Sequence, residues 1–233
     1  MDQFHALGLA ATLTLAELAE LRPDERVIDI GAGIGGPARV LTTRFGARVT
    51  AVEPTARLRR LAAALDAATG LQDAIEIVDA HGHELPFADG SFDLVWTQAV
   101  LPNVADVAPL AAEAHRVLAP GGRWALGETV AGQGGELRFP VPWADGPAQS
   151  HLLASEALRE ALERPGFAAE VWEVGPAALA PAGARAAAEP QEAPPGVDLG
   201  LIMPQRDARM ASLARNIVEQ RIAPLQAVLR RGG

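Results

Sequence analysis

An α/β protein with a mostly parallel sheet between helical layers is the fold class this sequence predicts, and three observations carry it. Short apolar runs alternate with stretches of helical period almost throughout the chain. The run Val27-Ile28-Asp29-Ile30 ends in the spaced glycines of Gly31-Ala32-Gly33-Ile34-Gly35-Gly36, which reads as a buried strand entering a tight turn. A chain of 233 residues, 49% of them apolar, is long enough to bury the core such a sheet needs.

Leu7, Ala11, Leu15, Leu18 and Leu21 stand near helical spacing, so one or two helices are expected over residues 4–21, ended by Pro23-Asp24. After the glycine turn, Pro37-Ala38-Arg39-Val40-Leu41 opens a helix, where proline in the first turn forfeits no intrahelical bond. Arg48 to Val52 reads as a second strand closed by Glu53-Pro54. The next helix, 55–69, has Thr55 as its expected cap and Gly70 as its stop. Ile75 to Val78 begins a third strand, and Ser91 to Trp96 supplies a fourth. Asp106 is placed to cap a helix running to Leu118, and Pro120-Gly121-Gly122 stops it before a fifth strand, Arg123 to Glu128. The Gly- and Pro-rich stretch 130–150, with Phe139 and Trp143, is long enough to suggest a functional loop. A helix near 156–164 and a strand at 168–174 follow. A helix around 177–188 then gives way to an expected mobile loop up to residue 197. Residues 205–220 suit a helix whose apolar side is Met210, Leu213, Ile217 and Val218, and Ile222 to Leu229 supplies the last strand.

A formal net charge of −9 argues against a nucleic-acid partner, which needs a basic face to neutralise phosphates. No apolar run reaches membrane-spanning length, and no signal-peptide pattern opens the chain, so a cytoplasmic protein without membrane or nucleic-acid partners is expected. The absence of Cys removes thiolate chemistry and cysteine-ligated metals, and the absence of Tyr removes the phenol as a base. His81-Gly82-His83-Glu84 has a metal-like spacing but no third ligand in view, so no metal is expected. The glycine turn and the helix start behind it offer N–H groups to a negative group, which marks a nucleotide-type site.

Four separated stretches carry a family likeness: Val27 to Arg39, Val52-Glu53-Pro54, Leu85 to Asp93, and Arg116 to Arg123. Together they make the chain resemble class I S-adenosylmethionine-dependent methyltransferases of the small-molecule branch, which includes sarcosine and dimethylglycine N-methyltransferases and natural-product enzymes. The resemblance implies a Rossmann-like three-layer sandwich with a seven-stranded sheet, its last strand antiparallel, and a ligand across the carboxyl ends of the first strands. It implies S-adenosylmethionine as cofactor, held by Asp29, Gly31, Ala32, Gly33, Gly35, Glu53 and Pro54, with Glu53 on the ribose hydroxyls. At the third strand's end the family carries an acidic residue followed by alanine. An ungapped count puts His81-Gly82 there, whereas a two-residue insertion would restore Asp79-Ala80. Thr97 and Gln98 fall beside the methionine amine and the methyl group, with Gln98 an active-site polar group. His5 lies in a segment that in related enzymes folds over the site, where a histidine can act as general base.

On this reading one methyltransferase domain fills residues 1–233. A helical lid covers 1–23, a cofactor core 24–130 and a substrate loop 131–155, and the rest of the sheet with inserted helices takes 156–233. Phe4, Phe139 and Trp143 are candidate pocket walls, and His151 a candidate pocket lining. Partners reduce to a small-molecule acceptor, for a monomer or homodimer. Two rivals remain. Gly31, Gly33 and Gly36 with Glu53 also satisfy a dinucleotide fingerprint, so an NAD-dependent oxidoreductase fits that motif, though not the Ser91-Phe92-Asp93 and Pro120-Gly121-Gly122 stretches. A non-methylating protein, such as a cyclase or a cofactor-binding relic, fits the same fold.

Overall fold

The structure, a computed structural model, describes residues 3, 5, 7–188 and 203–232. The expected Phe4 pocket wall and the expected mobile loop from residue 189 to 197 lie outside the described residues. The elements are α1 (Gly8–Leu18), β1 (Arg26–Ile30), α2 (Gly36–Phe45), β2 (Arg48–Val52), α3 (Ala56–Thr69), β3 (Ile75–Val78) and β4 (Phe92–Gln98). They continue with α4 (Val107–Val117), β5 (Leu118–Ala131), α5 (Ser155–Glu163), β6 (Phe167–Val174), α6 (Pro176–Ala188), α7 (Arg206–Val218) and β7 (Ile222–Arg231).

The strands form one seven-stranded sheet in the order β3-β2-β1-β4-β5-β7-β6. Strands β1 to β5 pair in parallel, and β7 runs antiparallel to both β5 and β6. The strand order reverses between β1 and β4, and that switch point opens a crevice at their carboxyl ends. Alternate side chains of each strand go to opposite faces. Ile28, Ile30, Val95, Trp124 and Leu126 meet α4 and α5 on one face, whereas Val27, Val49, Leu94, Trp96 and Ala125 meet α1 and α2 on the other. Two apolar layers therefore sandwich the sheet, as the alternation of elements predicts.

Three local expectations change. Thr55 occupies the N-cap position of α3 but its side chain caps nothing. Its backbone N–H instead donates to Glu53 Oε1 at 2.8 Å. Pro120-Gly121-Gly122 does not precede β5 but lies inside it. Phe92 pairs with Leu118 and Leu94 with Arg123, so residues 119–122 loop out opposite Asp93, with Gly121 at φ +72°.

The third change is the facing of α7. Met210, Ile217 and Val218 are exposed, Val218 by 82%, and Arg209 and Asn216 are the buried residues. The cause is what the helix packs against. The 132–150 segment has few ladder bonds, and its backbone groups need partners. Asn216 supplies two, accepting from the Arg138 N–H and donating to the Arg138 carbonyl, both at 2.9 Å. Arg209 donates to the carbonyls of Val141, Ala144 and Pro204 and pairs with Asp145. A polar face is the one this position demands.

Between α2 and α3, Arg39 Nη1 meets Asp66 Oδ1 at 2.7 Å with both side chains buried, and Arg39 Nη2 donates to the Ile34 carbonyl in the glycine turn at 2.7 Å. Removing one partner leaves the other charge buried and uncompensated. Asp66→Ala is expected to destabilise the fold by about 3–5 kcal/mol in chemical denaturation, and replacing both Arg39 and Asp66 with apolar residues by clearly less.

Candidate active site

The site begins where β1 ends. Gly31, Gly33 and Gly35 adopt φ of +74°, +59° and +77°, the left-handed region that side-chain-bearing residues avoid. Gly31 and Ala32 donate their N–H groups to the Val52 carbonyl at 2.8 and 3.1 Å, which ties the turn to the end of β2. A Cβ on Gly31 would lie 2.7 Å from Val100 Cγ2, whereas a Cβ on Gly33 would meet nothing within 4 Å. The turn is closed on its Val100 side and open at Gly33.

Glu53, the residue after β2, turns its carboxylate into this turn. Oε2 accepts from the Gly33 N–H at 3.0 Å and Oε1 from the Thr55 N–H. Pro54 beside it is exposed. Asp29 is buried on the α1 and α2 side of β1, and its Oδ2 has no hydrogen-bond partner. Burial first, and the charge of Glu53 second, push its carboxyl up to about 7.

At the end of β3, Asp79 pairs with Arg59, which also donates to the Glu53 carbonyl at 2.8 Å. His81 and Glu84 close a small turn in which the rings of His81 and His83 lie 5.1 Å apart. Gly82 presses on Ile30 and Leu110, 2.7 and 3.1 Å from a Cβ built there. Both candidates for the adenine edge, Asp79 and His81, therefore sit at this strand end, and Asp79 is the one already engaged by an arginine. Among the described residues no group of His and acidic side chains is placed to hold a metal.

Strand β4 divides its last two side chains between the faces. Thr97 is buried on the α4 side, where its Oγ1 accepts from Trp124 Nε1 at 3.1 Å. Its side chain is thereby committed, so any ligand contact from this position falls to the backbone. Gln98 points to the α1 side and joins a polar cluster with Gln3, His5 and Thr12. Gln98 Nε2 donates to His5 Nδ1 at 3.1 Å, and His5 Nε2 donates to Gln3 Oε1 at 3.0 Å, an arrangement that selects the Nε2–H tautomer. The Thr12 hydroxyl, fully buried on α1, lies 2.8 Å from Gln3 Oε1 and 3.2 Å from Gln98 Oε1. A Cβ on Gly127 would press on Gln98 and Leu15, so the glycine leaves room for this junction. The structure thus joins His5 and Gln98, which are 93 positions apart in the chain.

Beyond Gln98 the chain turns through Ala99 at φ +60° into the 3-10 turn Leu101–Asn103. His151 donates its N–H to the Pro102 carbonyl at 2.9 Å, which draws the 132–150 loop to this turn, and Trp143 Nε1 is held by Ser150 Oγ at 2.9 Å. Glu128, near the end of β5, is 4% exposed and accepts the N–H groups of Val100 and Leu101 at 3.0 and 3.1 Å. Burial pushes its carboxyl up to about 8, against the pull of those donors.

Residues 28–126 match the family described as a methyltransferase domain. Over that stretch the chain is similar to methyltransferase domains. It is similar to the dimethylglycine N-methyltransferase of Parasynechococcus marenigrum (strain WH8102), 34% identical over 163 residues, 68% of this chain and 57% of that protein. It is also similar to the sarcosine/dimethylglycine N-methyltransferase of Halorhodospira halochloris, 38% identical over 105 residues, 45% of this chain and 38% of that protein. The chain thus spans well under two thirds of the length of either relative. Among solved structures, the geranyl diphosphate C-methyltransferase of Streptomyces coelicolor A3(2), in complex with S-adenosyl-L-homocysteine, superposes with a TM-score of 0.73. It is 16% identical, and the match covers 95% of this chain and 80% of that one, a likeness of fold.

Methyltransferase domains of that family use S-adenosylmethionine, and the residues at the β1–β4 crevice of this chain fit such a ligand. The open face at Gly33 admits a close backbone approach, Glu53 offers two carboxylate oxygens to paired hydroxyls, and Asp29 presents an unpartnered oxygen to a cationic group. The nicotinamide reading loses its ground, because the whole matched stretch belongs to the methyltransferase domain rather than to a glycine motif alone.

Several residues at the site escaped the sequence reading. Thr12 and Gln3 carry no motif. Glu128 had a usable signal, a carboxylate inside the apolar run Trp124 to Val130, and so had Val100, two positions beyond Gln98.

The two raised carboxyls make a pH prediction. Asp29 and Glu128 hold their protons in the folded state up to about pH 7 and 8, but release them at ordinary values of 3.8 and 4.5 when unfolded. The stability they contribute is complete below the unfolded values and is lost as pH rises towards 7–8. Asp93 and Glu113, held low by hydrogen bonds from Arg26 and Arg116, act in the opposite sense and only at or below their ordinary values of 3.8 and 4.5. The melting temperature is expected to fall between about pH 5 and 8, and the slope to flatten in Asp29→Asn and in Glu128→Gln.

Proposed function

We propose that this chain transfers a methyl group from S-adenosylmethionine to a small organic acceptor. The observation that carries the reading is the carboxylate of Glu53 turned onto the open glycine turn at the sheet's switch point, within a methyltransferase domain. When bound, S-adenosylmethionine supplies an electrophilic methyl on a sulfonium. The chain's own residues do the rest. Gly31, Ala32, Gly33 and Gly35 shape the floor, with Asp29 beneath it and Glu53-Pro54 at the ribose side. The turn 79–83 closes the adenine edge through His81-Gly82, since Asp79 is held by Arg59. Backbone at Thr97 and the Gln98 side chain face the reacting methyl.

Holding donor and acceptor in line in a water-poor pocket supplies much of the rate in such a transfer. Residues 1–23 act as the lid, and α1 excludes water over the end of β4. His5 is the base where the acceptor is a hydroxyl or an ammonium. Its Nδ1 lone pair accepts from Gln98 in this arrangement, so the acceptor takes the place of the Gln98 amide to reach it. The 131–155 loop, with Phe139, Trp143 and His151, and the inserted helices α6 and α7 shape the acceptor pocket. The acidic charge balance favours a small-molecule partner over nucleic acid, and among the described residues no helix is long and apolar enough to cross a membrane. We assign the chain to the cytoplasm on the same grounds.

Thermal unfolding tests the cofactor first. S-adenosylmethionine and S-adenosylhomocysteine at 100 times Kd are each expected to stabilise the fold by about 2.7 kcal/mol, and NADH not at all. Glu53→Ala removes a charged acceptor and is expected to weaken both S-adenosyl ligands roughly tenfold to a hundredfold. A stabilisation by NADH alone would sink the reading. With a hydroxyl acceptor found by mass-shift screening, His5→Asn is expected to slow methylation by about 10²-fold or more at pH 7 while leaving cofactor affinity in place.

A further inference from the structure

Glu128 takes no part in the reading above, yet it is the buried carboxylate on which the turn after β4 depends. Three observations meet there. The turn passes through Ala99 in the left-handed region at φ +60°, a conformation that costs a side-chain-bearing residue free energy unless its surroundings enforce it. The next two backbone N–H groups, of Val100 and Leu101, both point at Glu128 Oε2, at 3.0 and 3.1 Å. The side chain of Val100 then lies against Gly31, so close that a Cβ there would sit 2.7 Å from Val100 Cγ2 and 3.0 Å from Cγ1. The carboxylate is itself held from behind, since the Thr97 hydroxyl bonds to it and Trp124 Nε1 bonds to Thr97.

We propose that Glu128 is a positioning residue for the cofactor: by fixing the N–H groups of Val100 and Leu101 it sets Val100 against Gly31 and so couples the acceptor-side turn to the glycine turn. The hydrogen bonds of Glu128 go to Val100, Leu101 and Thr97, and its effect on the glycine turn passes through Val100. The inference rests on the reading of the glycine turn as the S-adenosyl site. Its physical content is that one buried acceptor holds two elements, the ends of β4 and β1, in a single register. An acceptor molecule entering against residues 99–103 then meets a wall whose other side is the cofactor's floor. The protonated and ionised forms of Glu128 both keep an oxygen for the two N–H groups, and the carboxamide oxygen of a glutamine can take the same place.

Calorimetric binding of S-adenosylhomocysteine and amide exchange by NMR test this on the full chain, with Glu128→Ala, Glu128→Gln and Val100→Ala. Glu128→Ala is expected to accelerate exchange at Val100 and Leu101, to shift the Gly31 and Ala32 amide resonances, and to weaken S-adenosylhomocysteine about fivefold or more. Glu128→Gln should restore all three. Val100→Ala keeps the Glu128 bonds, so exchange at positions 100 and 101 stays slow while the ligand still weakens. A carboxyl that serves folding alone would lower the melting temperature of Glu128→Ala and leave affinity and the Gly31 resonance unmoved, and that result overturns the proposal. Unaltered affinity in Val100→Ala overturns it too. If the unsubstituted protein fails to bind S-adenosylhomocysteine, the cofactor reading falls. The exchange rates and the Gly31 shift then still decide whether Glu128 couples the two turns.

Discussion

The chain leaves its central strand through a turn in which Gly31, Gly33 and Gly35 all hold positive φ. Side chains at those positions would cost conformational free energy and, at Gly31, would collide with Val100. Because the turn is bare, the end of β2 can bond to it, the Glu53 carboxylate can reach the Gly33 N–H, and the turn after β4 can lie against it. Arg39 braces it from behind through the Ile34 carbonyl and is neutralised by Asp66. The parallel sheet is what brings these pieces to one edge, since every strand from β1 to β5 delivers its following loop to the same side.

The opposite wall of the site is assembled by polar groups that have no apolar alternative. Residues 132–150 run without a ladder for most of their length, so their carbonyls and N–H groups are met by Arg209 and Asn216 from α7 and by the 219–221 turn. On the other side, Gln98 joins Thr12 of α1 and His5 in one hydrogen-bonded cluster. Buried polar clusters of this kind are costly unless every member is satisfied, which makes them demanding of geometry and useful for fixing it. The N-terminal segment is therefore positioned by the end of β4 as much as by its own apolar packing.

Much of this is legible in the sequence. Val27 to Ile30, Arg48 to Val52 and Ile75 to Val78 read as strands because their apolar runs are short, β-branched and bounded by Gly, Pro or Asp. The cap at Asp106 was legible too, and its Oδ1 accepts the Ala108 N–H at 3.0 Å. The facing of α7 was not, because periodicity reports which residues share a side and says nothing of what that side meets. Here the neighbour is a stretch of bare backbone, and the polar stripe won. The 118–123 bulge was hidden for a similar reason: a Pro-Gly-Gly sequence marks a break in the ladder but not whether the strand resumes on both sides of it.

From its residues alone this protein's alternation of strands and helices, its glycine turn, the carboxylate at the end of β2 and the four ordered stretches that resemble a methyltransferase domain were determined, because each depends on neighbours close in the chain. Only the tertiary structure decided that Glu128 faces the N–H groups of Val100 and Leu101, that Thr97 and Gln98 part to opposite faces, and that His5 meets Gln98 across 93 positions. Those contacts join segments whose separation in sequence leaves no periodic trace. They exist because a twisted parallel sheet gathers its strand ends into one crevice, where each buried polar group must find its partner in three dimensions.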